Sequence, residues 1–105
     1  MPEVHPRGQV LAFDQSSNTF VAQPGLMLPC TNIAEMLEQV EARTGAYVAP
    51  HEPPKYFRYH LSRDDSTFVL VDIHVTRDRE EICIKQDMSF PLLPSDKVIF
   101  GHLAC

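Results

Sequence analysis

Apolar and polar positions along this chain repeat with two periods, one helical and one extended. In "CTNIAEMLEQVEARTG", Ile33, Met36, Leu37 and Val40 recur at i, i+3, i+4 and i+7, which places them on one face of a helix. Thr31 or Asn32 can cap its start, and Glu35 stands three residues after Asn32, as a capping box requires. Gly45 can take the left-handed conformation that stops the helix. Glu38, Gln39, Glu41 and Arg43 are left for solvent. The spacing predicts an amphipathic helix of about three turns.

The rest of the pattern is extended. "RGQVLAFD" reads as a strand around Gln9–Phe13, "DQSSNT" as a turn and "FVAQ" as the returning strand, ended by Pro24–Gly25. "YVAPHEPPKY" reads as a connection stiffened by Pro50, Pro53 and Pro54, without the basic flank of a polyproline ligand. "YFRYHL" and "TFVLVDIHV", rich in aromatic and β-branched residues, flank "SRDDS" and predict a hairpin. A turn centred on Asp64–Asp65 places His60 opposite Val69 and His74 opposite Lys55. Phe68, Leu70 and Val98 are then expected beneath the helix. "REEICIKQ" suggests a further strand around Ile82–Ile84. "KVIF" predicts the last one, with Val98 and Phe100 on one face and Ile99 on the other, after a "PLLPSD" segment whose prolines exclude it from a central strand.

Strand, strand, helix and then several strands with a single helix resembles the β-grasp, or ubiquitin-like, superfamily. "FVAQPGLMLPCTNIAEMLEQV" is similar to the second strand and helix of such domains, and "LLPSDKVIF" to their final turn and strand. The resemblance implies an α+β fold, a mixed sheet of four to six strands packed on one main helix. It makes residues 1–105 a single domain with a short N-terminal extension and a C-terminal tail. The stretch from Thr76 to Pro91 is longer than a minimal member needs, and the Gly-Gly tail of modifiers and sulfur carriers is missing.

Composition narrows the function classes. At 105 residues with 44% hydrophobic and 22% charged content, the chain is an ordinary globular domain. Its net charge of −5 repels phosphate backbones, so neither nucleic acid nor a membrane is an expected partner. The start "MPEVHPRGQV" lacks a signal pattern, which points to the cytoplasm. Cys30, Cys83 and Cys105 are an odd, widely spaced set, expected to form no disulfide framework, with the first two as small buried hydrophobes.

Catalytic chemistry finds no carrier. Asp64 and Asp65 read as turn formers, "RDREE" as a solvated loop, and no serine elbow or glycine-rich phosphate loop is present. In the expected register His60 and His74 point to opposite faces, which argues against a shared metal; no cofactor is expected. The expected role is non-enzymatic: an accessory subunit or inhibitor that binds another protein, either a larger enzyme or a toxin-like target. Tyr56, Arg58, His60, Val69 and Val71 would form the docking face, since aromatics and Arg anchor such patches. An alternative is an atypical modifier, recognised by an activating enzyme and conjugated through the tail Gly101, His102, Leu103, Ala104 and Cys105. A His/Cys metal-binding protein is the third reading.

Overall fold

The computed structural model describes residues 1–7, 11–22, 24–52, 55–101 and 105. The helix, α1 (Ile33–Thr44), forms where the periodicity predicts it, and it buries Ile33, Met36, Leu37 and Val40. Asn32 Oδ1 accepts the Glu35 N–H at 2.9 Å. The Glu35 carboxylate reaches back to the backbone N–H and hydroxyl of Thr31, at 2.8 and 2.7 Å, so the return bond lands one residue before the cap. Gly45, at φ 81°, ends the helix and donates its N–H to the Glu41 carbonyl.

The strands are β1 (Glu3–His5), β2 (Leu11–Asp14), β3 (Thr19–Ala22), β4 (Leu26–Met27), β5 (Tyr47–Pro50), β6 (Phe57–His60), β7 (Val69–Arg77), β8 (Glu80–Cys83) and β9 (Lys97–Gly101). Seven of them make one mixed sheet in the order β4-β1-β9-β7-β6-β5, with β8 also paired to β7. Among the described residues only the β1–β9 contact is parallel. The core between this sheet and α1 holds Val4, Phe57, Ile73, Val75, Val98 and Phe100 together with the helix face. Ile99, between Val98 and Phe100, faces away, as strand alternation requires.

This corrects the expected fold. Among the described residues strand outweighs helix by 41% to 13%, and the mixed sheet is curled and seven-stranded rather than a four-to-six-strand β-grasp sheet on one main helix. Three strands carried no signal of their own. The supposed N-terminal extension is β1, whose Val4 is fully buried and paired with Val98. The proline-stiffened connection begins with β5, an edge strand whose Pro50 sits at the end, where a missing N–H removes no interior ladder bond. β4 is only two residues long.

A second correction concerns register. β6 and β7 pair Phe57 with Val71, Arg58 with Leu70 and Tyr59 with Val69. An odd number of residues separates Tyr59 from Val69, so the hairpin is centred on Asp64 rather than between Asp64 and Asp65. The Asp65 carboxylate binds the Thr67 N–H and hydroxyl, and its N–H donates to the Ser62 carbonyl, which holds the wider loop together. A slip of one residue moves every side chain to the other face. Phe68 and Leu70 therefore lie exposed on the outer face instead of under α1, while Val98 is in the core as expected.

Strands β2 and β3 form the predicted hairpin, closed by Asp14 accepting from Ser16 and Ser17. They make a separate two-stranded sheet that touches no other described strand or helix. The expected start of this hairpin at Gln9 lies outside the described residues. Among the described residues no helix is long and apolar enough to cross a membrane.

Candidate docking surface

The outer face of β5, β6 and β7 gathers aromatic and cationic side chains. His60 lies between Tyr47 and Phe68, with ring centroids 5.7 and 5.4 Å away. Its Nδ1 is 2.8 Å from the Asp65 carbonyl oxygen, which can only accept, so this nitrogen carries the proton. Phe68 also meets His51 at 5.5 Å and the Arg58 guanidinium at 5.9 Å. Hydrogen bonds from the Thr67 hydroxyl and N–H hold the nearby Asp65 carboxyl below the usual carboxylate range.

Two arginines on this face have different situations. Arg63 lies 4.1 Å over the Tyr47 ring and forks onto Glu41 at 2.9 and 2.7 Å, which raises its own pKa and lowers that of Glu41. Arg58 has its Nε buried without a hydrogen-bond partner. A buried donor left unsatisfied costs about 1–3 kcal/mol. An acceptor brought by another molecule would relieve that cost.

Beside this cluster opens a cleft of about 840 Å³, walled by Pro6, Arg7, Leu61, Phe68, Val69, Leu70 and Phe100. Its cause is a step in the sheet. The parallel strands β1 and β9 stop at His5 and Gly101, where Gly101 pairs with Asp72, but β7 extends back to Val69. Leu61 is 65% exposed and Val69 61%, so the rim is apolar and open. This concentration of apolar surface exceeds scattered single exposures.

The five residues expected to form one docking face are divided by the register. Arg58 and His60 share the outer face with Leu70, whereas Val69 and Val71 lie on the side of Tyr59 and Phe57. Val71 packs against the core, and Tyr56 is half-buried beside Lys55, its carbonyl accepting from Gln86 Nε2. Phe68 and Leu70 belong to the surface although the sequence placed them beneath the helix, and Leu61 belongs to it without having been singled out. Their signal was a run of apolar residues just beyond the hairpin loop, readable only with the right register.

The same slip removes the argument against a shared metal, because His60 and His74 lie on one face after all. They are engaged separately, His60 by Asp65 and His74 by Asp72 at 3.2 Å. Among the described residues no group of three or more His, Cys, Asp or Glu side chains is placed to hold a metal ion.

Two expectations about the cysteines are corrected. Cys30 is buried, but Cys83 is exposed and disulfide-bonded to Cys105, so Cys105 is no free terminal thiol. Gly101, expected to open the tail, is the last rung of β9. His102, Leu103 and Ala104 lie outside the described residues. No family model, no curated protein and no solved structure matches this chain.

Proposed function

We propose that this domain is a non-enzymatic protein-binding module whose partner presents a hydrogen-bond acceptor, foremost a carboxylate, beside a large apolar side chain. The observation that carries the reading is the unpaired Nε of Arg58, whose guanidinium is held against Phe68, a side chain that also lines the apolar cleft. A partner carboxylate would take a charge-assisted bond from Arg58 while its apolar neighbour reaches over Phe68 and Leu70, the cleft residues on the Arg58 side, toward Leu61. Arg7 adds positive charge to the cleft wall of an otherwise acidic chain. The alternative of conjugation through the tail draws less support, because Cys105 is tied to Cys83.

Selection from a display library of random peptides tests the reading. Enriched sequences should place Asp or Glu next to Leu, Phe or Trp. Arg58→Met and Leu61→Glu should each weaken binding of the selected peptides at least tenfold, with circular dichroism unchanged. Peptides without acidic residues, or binding indifferent to both substitutions, would remove the proposal.

A further inference from the structure

The Cys83–Cys105 disulfide lies on the outer face of the sheet and adjoins a second polar pair. His74 stands directly across the ladder from Cys83. Its Nδ1 meets Asp72 Oδ1 at 3.2 Å, and Asp72 Oδ2 accepts the Cys105 backbone N–H at 3.0 Å. The Asp72 side chain has no solvent exposure, although strand β7 places it on the outward face beside His74. The C-terminal residue is thus both bonded to β8 and seated over β7. Cys83 itself is exposed at the end of β8. Exposed disulfides open to solvent thiols more readily than core ones do.

We propose that Cys83–Cys105 is an exchangeable clasp, opened by a low-molecular-weight thiol, and that opening lifts Cys105 from β7 and uncovers the Asp72–His74 pair. An incoming thiolate bonds to Cys83 Sγ, the protein disulfide breaks, and Cys105 leaves as a thiolate that takes a proton from water. A second small thiolate then attacks the small-molecule sulfur of the mixed disulfide and releases Cys83. Two external thiols are oxidised to one disulfide, and the protein bond is reduced by two electrons. His74, joined to Asp72 through Nδ1, stands across the ladder from Cys83 and senses the opening. Cys30 is an internal bystander, because burial, aided by the charge of Glu35, pushes its thiol up. A bond of this kind functions in a reducing compartment, where a static disulfide would not persist. The proposal does not depend on the docking surface.

The test uses the full chain isolated without reductant, equilibrated in glutathione buffers of graded ratio, trapped with iodoacetamide and mapped by mass. Cys83 and Cys105 should become alkylated together in one transition while the fold is retained and Cys30 stays unmodified. His74 imidazole resonances should shift in step, and Cys105→Ser should reproduce the opened spectrum. A bond that opens only after denaturation, or only with a protein dithiol, would overturn the clasp. So would free thiols at both positions in the unreduced protein, or opening without any change at His74.

Discussion

Arg77 forks onto Asp96, with Nε 2.9 Å from one carboxylate oxygen and Nη2 2.7 Å from the other. The Asp96 side chain is fully buried, and the same carboxylate accepts the Leu93 N–H at 2.8 Å. Arg77 Nη2 also donates to the Pro91 carbonyl, and the Asp96 carbonyl accepts from Glu3. One ion pair therefore joins the end of β7, the proline-bearing approach to β9, and β1.

Burial by itself would raise the Asp96 carboxyl, but the bonds from Arg77 and Leu93 and the guanidinium charge outweigh it and hold the group below its ordinary value. A carboxyl depressed in the folded state stabilises above its unfolded pKa of about 4, and that contribution is lost as pH falls through the folded value. Arg77→Met should cost about 2–4 kcal/mol near neutrality, since it leaves a buried carboxylate short of its main partner. Urea midpoints measured near pH 7 and near pH 3 should show the gap from the parent protein narrowing in acid. A gap independent of pH would mean that the pair is electrostatically idle.

Helix α1 is expected to show a steep contrast between its faces. Leu37→Ala, in the core, should cost about 2–5 kcal/mol, whereas Glu38→Ala should stay within about 0.5. Asn32→Ala, which deletes the cap, should cost about 1 kcal/mol. Denaturant titration of the three variants checks the assigned face.

Gly25 stands where β4 meets β1. A Cβ there would come within 2.5 Å of Glu3 Cγ, 2.9 Å of His5 Nε2 and 3.0 Å of the Val4 carbonyl oxygen. The side chains can yield but the carbonyl belongs to the ladder, so Gly25→Ala should destabilise by about 1–3 kcal/mol. Thermal unfolding of this variant, with a melting temperature equal to the parent's, would show that the two strands separate at no cost.

The β2–β3 hairpin should behave as a separate unit. Phe13 and Phe20 stack edge to face across it at 5.5 Å, and both are exposed. Two strands alone are marginal in water. Replacing both phenylalanines with Thr should change global stability by less than about 0.5 kcal/mol, and amides of residues 11–22 should exchange far faster than those of β7 and β9. Protection equal to the core's would contradict this independence.

What the sequence determined is local. The helix was legible because its stripe, cap and terminal glycine all act within a few residues, and each formed as the pattern required. The Asp14 turn and the inward pair Val98 and Phe100 were legible for the same reason. Tertiary structure decided the rest, because the information lies in where distant segments meet. β1 is a strand only because β9 offers it a parallel edge, and β5 because β6 does. An odd rather than even loop after Tyr59 moved Leu70 outward, divided Val69 and Val71 from Arg58, and so created a different surface from the one the alternation suggested. The Cys83–Cys105 bond depends on a chain end returning to β8 across a separation of 22 residues, and no residue spacing encodes that approach.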